Sequence, residues 1–120
     1  MKLISVSGKY RGNVAENIHK AREAAIQVWK MRHVALTPHL NTIHFENDCG
    51  IPDDWYITGD LIMLERVDGI LMLEGWKESE GARIEHDFAV ANGIPIYYDI
   101  RDIPKPETCN ETPARIKDDA

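Results

Sequence analysis

Short apolar runs alternate along the chain with longer amphipathic stretches. Lys2 to Val6 reads Lys-Leu-Ile-Ser-Val, a short strand, and runs into the turn-rich Ser7-Gly8-Lys9-Tyr10-Arg11-Gly12. Asn13 is placed to cap a helix. From Val14 to about Arg32, apolar residues including Ala15, Ile18, Ala21, Ala25, Val28 and Trp29 recur at helical spacing. Val34-Ala35-Leu36 is a second short strand. Thr37 to Asp54 holds two prolines and a Cys-Gly pair and predicts an irregular loop, long enough to be functional. A helix is expected over Tyr56–Val67, capped by Asp54. Asp68 to Leu73, almost wholly apolar, reads as a central parallel strand. After a loop over Glu74–Glu78, Ser79 to Asn92 predicts a third long helix, ended by Gly93. Ile94 to Tyr98 is a fourth strand.

The resulting order, βαβαβαβ, predicts a parallel sheet flanked by helices. Right-handed crossovers leave few topologies. The expected fold is a flavodoxin-like three-layer αβα sandwich with strand order 2-1-3-4. One domain is expected over residues 1–100. A polar tail follows over 101–120, with a short helix near Thr112 to Lys117. In such sheets ligands bind beyond the carboxyl ends of the strands. Three segments fall there: the loop Ser7 to Gly12, the helix start at Ser79, and the loop Thr37 to Asp54.

Composition narrows the partners. The chain has 120 residues and a formal net charge of −6, which disfavours a broad surface for polymeric nucleic acid but leaves room for a small anion held by local donors. No apolar run approaches the length of a membrane span, so no membrane partner is expected. Cys49 and Cys109 lie far apart and match no zinc spacing. They read as reduced thiols of a cytoplasmic protein.

Four groups of residues could carry chemistry. Ser7-Gly8-Lys9-Tyr10-Arg11-Gly12 follows a strand and opens a helix. Its glycines let backbone amides approach an anion, and Arg11 can fork onto phosphate or carboxylate oxygens. The spacing matches neither GxGxxG nor GxxxxGK[ST], and a plain strand-to-helix turn accounts for it as well. At the second, Ser79 can cap its helix while Gly81 and Ala82 keep the first turn thin. Glu85 shares the narrow stripe of Ala82 and Ala89, an odd place for a carboxylate that only solubilises, although a plain surface glutamate accounts for it as well. The third is Asp60 with Asp68. Asp68 can simply end a helix, whereas Asp60 and Glu85 over one cleft suit acid and nucleophile roles. The fourth gathers His33, His39, His44, Asp48 and Cys49. Their spacing fits no metal motif, so no metal or other cofactor is expected. His44, Phe45 and Trp76 are the candidate wall for a nucleobase.

Together, Ser-Gly-x-x-Arg-Gly, Gly59-Asp60-Leu61 running on to Asp68, and Gly75-Trp76-x-x-Ser79-x-Gly81-Ala82-x-x-Glu85 resemble the nucleoside 2-deoxyribosyltransferase-like superfamily. Within it the chain is most similar to the short DUF4406 proteins, over roughly residues 2 to 98. The resemblance implies a catalytic glutamate at Glu85 and an aspartate near base and sugar at Asp60. A serine at Ser79, together with the Ser7, Gly8, Arg11 and Gly12 loop and Gly81, is similar to members that hydrolyse deoxynucleoside 5′-monophosphates. Members acting on free nucleosides carry aspartate at the Ser79 position. The implied activity is an N-glycosidase on a (deoxy)nucleoside 5′-monophosphate. The alternatives are a deoxyribosyltransferase and a non-catalytic nucleotide-binding or sensing module. The resemblance also implies a homodimer or larger homo-oligomer. Lys9, Tyr10 and Trp76 depart from the family pattern.

Overall fold

The computed structural model describes residues 1–43, 45, 48 and 50–106. Four parallel strands form one sheet in the order β2-β1-β3-β4: β1 Leu3–Ser7, β2 Val34–Leu36, β3 Gly69–Met72 and β4 Ile96–Tyr97. Central β1 pairs Leu3 with Val34 on one side and Ile4 with Gly69 on the other. This is an α/β, flavodoxin-like arrangement with the expected strand order. Every residue of β3 is buried, as its unbroken apolar run requires of a strand covered on both faces.

Alternation along β1 divides the core. Ile4 and Val6 face helix α1 (Val14–Lys30), packing with Val28 and with Ala21 and Ala25. Ile70 and Met72 face the other way, toward α3 (Asp53–Leu64) and α4 (Glu80–Ala91), and pack with Leu64, Ala82 and Ala89. Ser5 and Ser7 alternate with Ile4 and Val6, so the α4 side of β1 is polar. Ile103 joins Ile4, Val28 and Leu71, so packing on the α1 side extends beyond the 3-10 turn Ile100–Asp102. Buried His33 fixes this segment. Its Nδ1 accepts from the Lys2 amide at 3.0 Å, and its Nε2 donates to the Pro104 carbonyl at 2.6 Å.

Several boundaries differ from the sequence expectation. The 37–54 stretch contains a four-residue helix, α2 (Pro38–Asn41), with proline at its start. Helix α3 begins at Asp53. Its cap residue is Pro52, so Asp54 lies inside the first turn, where its charge favours the helix N-terminus. Strand β4 is shorter than Ile94–Tyr98. The Ile94 amide is spent on Ala89 O at the end of α4, and Pro95 has no amide to give. Asn13 and Ser79 cap as expected, their side chains accepting from Glu16 N and Ala82 N. The expected helix near Thr112 to Lys117, and both cysteines, lie outside the described residues.

Helices α1 and α4 end in the same motif. At α4, Gly93 (φ 66°) donates to Val90 O and Ile94 to Ala89 O; at α1, Arg32 (φ 72°) donates to Trp29 O and His33 to Val28 O. Left-handed backbone costs a residue with a Cβ about 1 kcal/mol that glycine avoids. Arg32→Gly is therefore expected to raise stability by about 0.5–1 kcal/mol, and Gly93→Ala to lower it by a similar amount. Urea denaturation of the two variants checks both signs.

Candidate active site

A cavity of about 310 Å³ opens at the carboxyl ends of β1 and β3. That volume is at the small end of the range for small-molecule sites. One wall is the loop after β1, including Gly8 and Arg11. The opposite wall is the start of α4, with Ser79, Gly81 and Ala82. Pro38 and His39 of α2, and Tyr56, Ile57 and Asp60 of α3, close the remaining sides. Gly8 sits where the two loops meet: a Cβ there would lie 3.0 Å from Leu73 Cβ, so a larger residue would push them apart.

Glu85 is the most buried carboxylate of this lining, 8% exposed. It stands one turn beyond the start of α4, on the stripe it shares with buried Ala82 and Ala89. Ser7, the last residue of β1, donates its hydroxyl to Glu85 Oε1 at 2.8 Å. Burial is the main cause that pushes the Glu85 carboxyl up, to about 7. The charge of Asp60 adds to this, and the Ser7 hydrogen bond pulls the other way. Burial likewise pushes Asp60 up to about 6. Two carboxyls that repel each other in this way titrate as a pair, holding about one proton between them midway between the two values.

Ser79 Oγ accepts from Ala82 N at 3.2 Å, which leaves its hydroxyl proton free to donate into the cavity. Arg11 is 59% exposed and lies 2.6 Å from Asp53 Oδ1. Gly12 (φ 96°) turns the loop into α1 without lining the cavity.

The structure thus brings together Glu85, Asp60, Gly8, Arg11, Ser79 and Gly81, with Ser7 immediately behind Glu85. It does not bring Trp76 to them. Trp76 lies in the 3-10 turn Trp76–Glu78 and stacks on His86 at 4.3 Å, away from the cavity lining. Phe45 is exposed and also outside the lining. His44 lies outside the described residues. Asp68, beside Asp60 in the sequence motif, instead anchors the start of β1, accepting from Leu3 N at 2.8 Å.

Aromatic surface comes from elsewhere. Tyr10 meets the edge of His39 at 5.5 Å, and Tyr56 faces the same space. The Lys9 carbonyl can only accept, so His39 Nε2 carries a proton and donates to it at 2.9 Å. Burial holds the His39 pKa below its usual value, so the ring is neutral at physiological pH. The signal for His39 was its place just past the carboxyl end of β2, where ligands of such sheets bind. Among the described residues no group of three or more His, Cys, Asp or Glu could hold a metal ion. No helix among them is long and apolar enough to cross a membrane.

A family model described as a domain of unknown function, DUF4406, matches residues 2–98. The chain belongs to the DUF4406 family. Every cavity-lining residue of this DUF4406 protein falls within the matched span. No curated protein and no solved structure matches the chain.

Proposed function

We propose that this DUF4406 protein is a cytoplasmic N-glycosidase acting on a (deoxy)nucleoside 5′-monophosphate. The observation that carries the reading is the carboxyl pair: Glu85, buried and hydrogen-bonded by Ser7, beside Asp60 in one cavity. A pair holding one proton has both a nucleophile and an acid at hand. The resemblance to the nucleoside 2-deoxyribosyltransferase-like superfamily supports the same roles.

In the proposed reaction the reactive form has Glu85 ionised and Asp60 protonated. The higher Glu85 value puts the shared proton mainly on Glu85, so this form is the minor of the two singly protonated arrangements; the Ser7 hydrogen bond pulls toward it. The Glu85 carboxylate forms a bond to C1′ as the bond from C1′ to the base nitrogen breaks. The electron pair leaves with the base, which takes the proton from Asp60. Water then attacks C1′ of the glycosyl-enzyme and gives its proton to Asp60. The Glu85–C1′ bond breaks, and Glu85 is restored as carboxylate. Arg11, Ser79 and the amides near Gly8 and Gly81 receive the phosphate, with the positive end of α4 behind them. Tyr10, His39 and Tyr56 supply surface for the base. The resemblance further supports a homo-oligomer in which a neighbouring subunit completes the site.

The test is incubation with a panel of nucleoside and deoxynucleoside 5′-monophosphates, with and without an added free base. Free base and sugar phosphate are expected, with kcat/KM bell-shaped in pH and greatest between the two carboxyl values of about 6 and 7. Transfer of the sugar to the added base would instead make the protein a deoxyribosyltransferase. Tight binding without base release would make it a sensing module.

A further inference from the structure

Lys9 and Arg11 stand on one loop, and each is held by a carboxylate from a different wall of the cavity. Lys9 Nζ lies 3.3 Å from Glu78 Oε2, at the end of the turn before α4. Arg11 Nη2 lies 2.6 Å from Oδ1 of Asp53, the first residue of α3. All four residues line the cavity. Three more carboxyl groups line it, those of Asp60, Glu80 and Glu85, with no third lysine or arginine among the described residues. A phosphate arriving here meets cations that are already paired, in a lining with surplus negative charge.

We propose that Asp53 and Glu78 are specificity-determining residues that compete with the ligand's phosphate for Arg11 and Lys9, and so limit the ligand to one phosphate group. This rests on the proposed function, in which the ligand carries a phosphate. Both ion pairs are largely solvent-exposed, so each adds at most about fivefold to its own closed form. A phosphate that accepts forked hydrogen bonds from Arg11 displaces such a partner. The displaced carboxylates stay on the cavity walls and repel what replaced them. One phosphate, with a charge of about −1.5 to −2, matches the two cations it frees. A second phosphate adds charge that no further cation receives, beside two freed carboxylates.

The experiment is calorimetric titration of the whole chain with 2-deoxyribose, 2-deoxyribose 5-phosphate and pyrophosphate, probes that assume nothing about the base. Wild type is expected to bind the sugar phosphate more tightly than either other probe. Asp53→Asn and Glu78→Gln should each raise the affinity ratio of sugar phosphate to sugar by about fivefold. Their combination should narrow the gap to pyrophosphate. Glu80→Gln removes the same charge from the same lining without freeing Lys9 or Arg11, and should move the ratio by no more than about twofold. If wild type binds the sugar phosphate no better than the sugar, the phosphate reading falls and this inference with it. If wild type prefers the sugar phosphate but the Asp53 and Glu78 variants leave the ratio unchanged or lower it, only the competition is overturned. An equal response to Glu80→Gln overturns it too, because the lining's overall field would then suffice.

Discussion

Glu85→Gln is expected to abolish base release while producing a protein more stable than wild type above pH 7. Glutamine keeps the shape and can still accept from Ser7 Oγ, so the 2.8 Å contact survives. It cannot form an ester to C1′, and loss of a nucleophile lowers kcat by about 10³-fold or more. The stability arm comes from linkage. The Glu85 carboxyl titrates at about 7 in the fold against 4.5 for a free glutamate. The fold therefore disfavours the ionised form, and wild type loses stability as pH rises from 4.5 through 7. The full penalty, on the order of 3 kcal/mol and shared with Asp60, is present above pH 7. Glutamine never ionises and escapes its share. Thermal melts of both proteins at pH 4.5 and pH 8 should nearly coincide at the first and separate by several degrees at the second. Base release by the folded variant at the wild-type rate would remove Glu85 from the mechanism. Equal pH dependence of the two melts would remove the account of its burial.

Ser79→Asp should shift the preference from monophosphate toward nucleoside by at least tenfold. Aspartate is as good a helix cap as serine, so the bond from Ala82 N and the start of α4 are retained. What changes is the face toward the cavity. The serine hydroxyl has a proton to donate to phosphate; an aspartate has none and adds a negative charge. Like charges about 4 Å apart at an effective dielectric of about 20 cost on the order of 4 kcal/mol, and solvent reduces this. Half of it still exceeds tenfold in affinity. A free 5′-hydroxyl can donate to the same aspartate, so the nucleoside gains what the monophosphate loses. The readout is the ratio of kcat/KM for the two substrates in each protein. An unchanged ratio in the folded variant would place the phosphate away from this helix.

Local chemistry made much of the architecture legible. The apolar run at β3, the caps Asn13 and Ser79 and the terminator Gly93 each act over a few residues; their alternation made the sheet parallel and left few strand orders, of which the expected one is found. Glu85 could be picked out because a charge on a stripe of alanines is a local contradiction. The misreadings came where two local rules competed. Thr37-Pro38 reads as a break, yet proline is also a favoured first helical residue, and here it begins α2. Trp76 looked like a wall for a base because of its place in sequence. The 3-10 turn rotates it onto His86, and no pattern in the chain encodes that rotation. The partners of Lys9 and Arg11 were invisible for a different reason: Glu78 and Asp53 lie 69 and 42 residues away and meet them only through the fold.

The hydrogen bonds that join Leu3 to Asp68, 65 residues apart, also set a clock on biosynthesis. Strand β1 lies at the middle of the sheet but leaves the ribosome before either neighbour. At about 5–20 residues per second, roughly 3–13 s pass between Leu3 and Asp68. Until then Ile4 and Val6 have at most β2 and α1 to cover them, and one edge of the future central strand has no partner. Each pairing in this sheet closes a long loop, which slows folding relative to a helical protein of the same size. The nascent chain is therefore most exposed to unwanted strand pairing in the interval before Gly69 to Met72 emerges, and that interval is where a chaperone that shields extended apolar segments would act.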